Sequence, residues 1–419
     1  MRHMKLLLAL LVGAGLVGCA DDKHSDVVTL TMDLCLDPAI MERLEESMTP
    51  SGQPGYGEIQ EEQVRRMAAA PTEGPFYMVN LIRYRELAVY PDGRETDLTG
   101  READALYAPI DFLSAIGARV VFVGDVGDIL IGEEGGWEQV AIVEYPCPLA
   151  FFAMAAHPDF QARAIHKEAG VEETIVMVTE LIPSALPEDF EPPQSPYPAT
   201  AEDPAFEMIH VLRYHEQAQY EPGAGEPTRT GREAMDLYTS GAQEAAARVG
   251  VYPTARFKVQ GVFIGDGRPW DELWFNHMPS RAGFDSLEAD PTRLNVQYHR
   301  EAALEDAYSL VTYPQLLAIP GAPGGGGEPP PVTDDGTGTL CQADDDCPGN
   351  GVETCIKPEG DTGFCSRQGC EAGDCEAPYL CCRQCNEAIA AFLPFTGSAC
   401  FPGDRIEQLL AVPASCTCD

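Results

Sequence analysis

Apolar and polar positions alternate through F-Y-M-V-N-L-I-R-Y at Phe76 to Tyr84, and the pattern returns as F-E-M-I-H-V-L-R-Y at Phe206 to Tyr214. A period of two, rich in β-formers, predicts a strand in each place. Polar stretches follow both strands, Leu87 to Leu98 and Gln217 to Arg229, and read as connectors or as lids over a site. Then T-G-R-E-A appears at Thr99 and again at Thr230. Each threonine precedes a glutamate, Glu102 or Glu233, by three residues, which is the capping box that starts a helix. Further on, Arg119 to Val126 and Glu138 to Tyr145 predict strands, Leu149 to Glu168 a helix broken near Pro158, and Thr174 to Leu181 a last strand.

The correspondence continues. W-E-Q-V at Trp137 answers to W-D-E-L at Trp270, and H-K-E-A-G-V-E-E at His166 to H-R-E-A-A-L-E-D at His299. The offset is 130 residues at Phe76/Phe206 and 133 at His166/His299, so a whole domain is duplicated. The order β-α-β-β-α-β is the ferredoxin-like split βαβ unit. A unit on the order of a hundred residues builds only a small core, and alone it leaves one sheet face apolar. The expectation is an α+β chain whose two ferredoxin-like units cover each other as an intrachain pseudo-dimeric α+β barrel, helices outside.

The remaining segments differ in character. Residues 1–18 read as a signal peptide: a basic start, an apolar run from Leu6 and small residues before the break. L-V-G-C at Leu16 to Cys19 resembles the bacterial lipoprotein signal, in which Cys19 is the lipidated residue. Residues 19–75 form a lead-in, with a β-like run at Val27 to Met32 and polar helical patches around Pro38 to Ser47 and Glu58 to Ala69. The repeats span 76–183 and 206–316, joined by a proline-rich connector at 184–205. A Gly/Pro-rich linker at 317–340 leads to a cysteine-rich tail at 341–419.

That tail holds Cys341, Cys347, Cys355, Cys365, Cys370, Cys375, Cys381, Cys382, Cys385, Cys400, Cys416 and Cys418. An even set in a short exported segment predicts a disulfide framework, giving a small disulfide-rich C-terminal domain. Cys35 and Cys147 remain, either paired to clamp the lead-in to the first repeat or left as buried thiols. The formal charge is -40, from 27 basic and 67 acidic residues. Such a surface repels nucleic acid, so no nucleic-acid partner is expected.

The run at Leu130 to Pro146, with A-F-F-A-M-A-A-H-P-D-F-Q-A and H-K-E-A-G-V-E-E-T after it, resembles the domain-of-unknown-function 1330 family, of the dimeric α+β barrel group. Both repeats share the likeness, the second more weakly, with F-N-H-M-P at Phe275 in place of I-V-E-Y-P. The resemblance implies a ligand space between sheet and helices of each unit. Members of that superfamily include monooxygenases, isomerases, haem-handling proteins and stress-response proteins, so the fold implies little chemistry.

Polar residues on the central strands are the candidates. Asn80 and Glu144 lie mid-strand and His166 near a helix end; a carboxylate and an imidazole together make an acid/base pair. Glu144 paired with Arg83 or Arg119 is the structural alternative. The second repeat places His210, His277 and His299 at the matching positions, and three imidazoles form a neutral ligand set for a metal ion. Histidines on strands equally serve as hydrogen-bonded core residues. The functional expectation is a lipid-anchored cell-envelope protein, on the outer membrane of a Gram-negative bacterium, that binds a small organic ligand, with acid/base or oxidative chemistry if it is an enzyme. Its partners would be that ligand and, through acylated Cys19, the bilayer. The other class is a non-catalytic surface protein whose cysteine-rich tail contacts a protein partner.

Overall fold

The computed structural model describes residues 29–323 except 38, 42–43, 45–52, 133–134, 185, 188–189 and 266, and in the tail only short strands between 340 and 418. The segment read as an export signal, with Cys19, much of the first helical patch and the side chains of the tail cysteines lie outside the described residues. The lead-in contributes β1 (Glu58–Ile59) and α1 (Glu61–Ala69). Residues 29–32, the described part of the β-like run expected at Val27 to Met32, form no strand.

The first repeat runs β2 (Phe76–Tyr84), α2 (Gly100–Tyr107), α3 (Ile110–Ala115), β3 (Arg119–Ile131), β4 (Gln139–Tyr145), α4 (Pro148–Ala156), α5 (Pro158–Gly170) and β5 (Val171–Leu181). The second runs β6 (Phe206–Tyr214), α6 (Gly231–Arg248), β7 (Tyr252–Gly265), β8 (Glu272–Met278), α7 (Arg281–Glu288), α8 (Pro291–Leu294), α9 (Gln297–Ala303) and β9 (Leu304–Leu317). Both capping boxes form: Thr99 and Thr230 accept from the backbone N–H of Glu102 and Glu233, whose carboxylates accept in return. The helix broken near Pro158 is α4 followed by α5, with His157 between them.

Strand order is β5-β2-β4-β3 in one repeat and β9-β6-β8-β7 in the other, the same ferredoxin-like arrangement twice. The two sheets join edge to edge. Strand β3 pairs antiparallel with β9, and β5 with β7, so β2 to β9 close into one barrel. Alternation along each strand then separates two environments. Tyr77, Val79 and Leu81 of β2, Val140 and Ile142 of β4, Ile209 and Val211 of β6, and Leu273 and Phe275 of β8 fill the barrel interior. Their neighbours Met78, Ile82, Met208 and Leu212 face outward under the helices. Trp137 and Trp270 both enter the interior against Tyr308, their ring centroids 5.9 and 5.1 Å from it. The tail contributes two separate three-stranded sheets, β10 to β15 (Leu340–Cys341, Val352–Ile356, Gly363–Arg367, Tyr379–Arg383, Ala399–Pro402 and Thr417–Cys418).

Cys35 and Cys147 are joined in a disulfide, Cα atoms 5.9 Å apart, which ties the lead-in to the start of α4. The bridge closes a sequence separation of 112 residues, so it removes much conformational freedom from the unfolded chain. The double variant Cys35→Ser/Cys147→Ser is expected to lose about 2–4 kcal/mol in non-reducing denaturant titration. A change under about 0.5 kcal/mol would show that the lead-in adds no restraint.

Candidate functional site

In the first repeat a cavity of about 240 Å³ lies between the outer face of the sheet and the helices. Its floor is Met78, Asn80, Ile82 and Tyr84 of β2 and Gln139, Ala141, Val143 and Tyr145 of β4. Arg101, Asp104 and Tyr107 of α2, Phe151 and Met154 of α4, and Phe160 and Lys167 of α5 form the walls. Tyr56 of the lead-in and Phe263 of β7 complete them. The space has two local causes. Helix α2 stops before Pro109, which has no N–H to continue the ladder and disfavours a helical residue ahead of it, whereas α6 runs unbroken for 18 residues. Second, the floor carries the small Ala141 where β8 carries Trp274.

Position by position the repeats diverge around this space. Ala141 answers to Trp274, Asp104 to Met235, Gln139 to Glu272 and Lys167 to Arg300. Trp274 is 4% exposed and Met235 2%; they pack on Leu212, Ala234 and Ala303. An indole and a thioether fill in the second repeat the ground that an alanine and an aspartate leave open in the first.

The polar side chains of the cavity form one network. Tyr84 Oη lies 2.8 Å from Gln139 Oε1 and 3.2 Å from Asp104 Oδ2. A phenol has one hydrogen, so it cannot donate to both oxygens. Its hydrogen is therefore given either to the Gln139 amide oxygen or to the Asp104 carboxylate, both within reach. Burial raises the Asp104 pKa, against the opposing pull of Lys167, Tyr84 and Arg101. The Asp104 Oδ1 atom is buried without a hydrogen-bond partner. Arg101 is engaged elsewhere, Nη1 lying 2.6 Å from Asp125 Oδ1, and Gln315 donates to the other oxygen of that carboxylate at 2.8 Å. Lys167 Nζ sits 5.6 and 5.4 Å from the ring centroids of Tyr56 and Tyr107, and burial lowers its pKa. Burial also raises the phenols of Tyr56, Tyr84, Tyr107 and Tyr145, which stay protonated at neutral pH.

Of the first predicted triplet, only Asn80 lines the cavity. Its amide donates to the carbonyls of Met78 and Ala141 at 3.2 and 3.3 Å. Glu144 is one residue out of phase, on the barrel-interior face, where Arg119 Nε meets it at 2.7 Å opposite Tyr77. His166 meets the hydroxyl of Tyr90 at 2.7 Å and holds the 87–98 connector. Three side chains on different faces do not form an acid/base site, which corrects that grouping. The second triplet separates in the same way. His210 faces outward with Nδ1 2.9 Å from Ser309 Oγ, and His299 meets Tyr220 at 2.7 Å. His277 faces the interior, stacked on Tyr252 at 4.7 Å beside Glu207. Among the described residues no group of three or more His, Cys, Asp or Glu is placed to hold a metal ion.

Asp104, Lys167 and Tyr56 were not singled out in the sequence. Their signal lay in the mismatches R-E-A-D against R-E-A-M and H-K-E against H-R-E.

By fold and cavity position the chain is a dimeric α+β barrel with both halves in one polypeptide. No family model matches the chain, and no curated protein does. Among solved structures, the methylated RPA0582 protein is 34% identical over 32% of this chain and 100% of that one, with a TM-score of 0.29. A second structure of RPA0582, a protein of unknown function from Rhodopseudomonas palustris, is 33% identical over 30% and 95%, TM-score 0.27. An anthrone oxidase-like protein is 15% identical over 58% of this chain and 92% of that one, TM-score 0.36.

The haem that some proteins of this superfamily handle does not fit here. The first-repeat cavity's volume falls below the about 300 Å³ at which sites for drug-sized ligands begin, and among the described residues that line it there is no histidine or cysteine.

His210 supplies a test of the outward face. Burial, with Arg300 and Arg293 nearby, lowers its pKa from 6.5 to about 3. The unfolded chain therefore binds a proton that the folded chain refuses, and stability falls as pH drops from about 6.5 towards about 3. The slope from this residue is at most about 1.4 kcal/mol per pH unit. His210→Asn, with the residue found at Asn80, is expected to flatten the pH dependence in denaturant titrations, and an unchanged slope would refute the assignment.

Proposed function

We propose that the first repeat binds a small, largely aromatic organic molecule with one polar group, and that a lipid-anchored cell-envelope protein carries this site. The observation that supports the reading best is the contrast between the repeats: one scaffold, with the space under its helices filled by Trp274 in one copy and open above Ala141 in the other. A cavity of about 150 Å³ accepts benzene, so about 240 Å³ suits one substituted ring or a compact pair. Rings of Tyr107, Tyr145, Phe151 and Phe160 supply apolar edges and faces, and Asn80, Asp104 and Lys167 supply the polar end. The lipid anchor rests on the sequence around Cys19 alone, and the acid/base capacity on Asp104 and Lys167.

Ala141→Trp recreates the plug of the second repeat. It is expected to weaken binding of benzyl alcohol and related single-ring probes by at least about tenfold in calorimetric titration, with the fold kept. The reciprocal Trp274→Ala is expected to cost about 3–5 kcal/mol and to open a second apolar site for the same probes. Undiminished binding in Ala141→Trp would place the ligand elsewhere and overturn the reading.

A further inference from the structure

We propose that Lys167 is a covalent anchor for a small aromatic carbonyl compound, which its side-chain amine holds as an imine in the first-repeat cavity. The proposal rests on the binding reading above and names the ligand class. In a chain with 67 acidic against 27 basic residues, a carboxylate partner for a cation is easy to supply. The arginines around the cavity have one: Arg101 pairs with Asp125 at 2.6 Å and Arg163 with Asp111 at 2.5 Å. Lys167 has neither hydrogen bond nor ion pair among the described residues; the rings of Tyr56 and Tyr107 lie against its nitrogen, and Asp104 acts on it only through its charge from a distance. A cation placed to bind an anion is normally held charged, but here burial disfavours the charge, and the nearby Asp104 carboxyl is the group that burial drives to take up a proton. An amine whose charge burial disfavours, close to a carboxyl whose charge burial also disfavours and inside an aromatic pocket, is the setting for a nucleophilic lysine. The second repeat has Arg300 at this position, a side chain that does not take part in such chemistry, beneath a pocket that Trp274 closes.

The step needs no oxidant or reductant. The amine nitrogen forms a bond to the carbonyl carbon, the π pair moves to oxygen, and oxygen takes a proton while nitrogen gives one up, with Asp104 as the proton carrier. The carbinolamine then loses its hydroxyl as water and the C=N bond forms. Water is the only product released, and hydrolysis reverses the sequence.

The test incubates the full-length protein with benzaldehyde and cyanoborohydride, which reduces an imine to a stable benzyl amine, followed by peptide mass mapping. The expected result is one benzyl group on Lys167, acquired at least about tenfold faster than on exposed Lys258, and lost in Lys167→Arg and in Ala141→Trp. Lys167→Met guards against a local effect of the arginine, and circular dichroism confirms that each variant folds. Labelling of Lys167 no faster than of Lys258 overturns the proposal. So does tighter binding of benzoate than of benzyl alcohol with no trapped adduct, because Lys167 then acts as a charged anion clamp. If benzyl alcohol binds and no adduct forms, the binding site stands and the covalent anchor falls; if neither binding nor labelling occurs, both fall.

Discussion

Everything in this molecule depends on two antiparallel seams, β3 with β9 and β5 with β7. Each ferredoxin-like sheet has an apolar face that its own helices do not reach, and the seams turn those two faces toward each other. Side chains such as Val79, Ile142, Ile209 and Phe275 then lose all contact with water, each contributing roughly 1.5–3 kcal/mol of burial. Neither half has another way to cover that face within the described residues. Closure gives each of the eight strands a neighbour on both sides along part of its length, and the lead-in adds the two-residue β1 against the end of β7.

With the interior settled by closure, the outward faces are free to differ. Helices of both repeats are started by the same capping box, so the scaffold above each sheet is alike at its base. Differences begin with Pro109 and Ala141, which open the first repeat, and with Trp274 and Met235, which close the second. The polar residues follow the space: Asp104 and Lys167 line an opening, whereas Glu272 in the filled copy is bound by Arg232 Nε at 2.8 Å and by Trp274 Nε1 at 2.6 Å.

Much of the fold was legible in the residues. The duplication, the βαββαβ order, both capping boxes and the break at Pro158 follow from local pattern, because each is set by neighbours in sequence. The site was less so. Glu144 reads as a pocket residue only until parity is counted from Tyr77 and Val140, which places it on the interior face beside Arg119. Histidines 166 and 299 look like chemistry, yet each accepts or donates a single bond to a tyrosine from a distant connector, Tyr90 or Tyr220. Such partners come from residues 76 and 79 positions away, beyond the reach of any local pattern. Trp274 and Ala141 were visible in an alignment of the repeats, but which of them faces the helices required the register.

The plug at Trp274 has a consequence for how such a molecule arises. In a symmetric homodimer every substitution appears twice, so an open pocket and a filled one cannot coexist. An empty space in a core weakens the fold in proportion to its volume, and a symmetric pair carries that burden in both halves. Fusion of the halves into one polypeptide removes the obligation of sameness. One copy is then free to become ballast, and the other keeps the hollow that the ballast lets it hold.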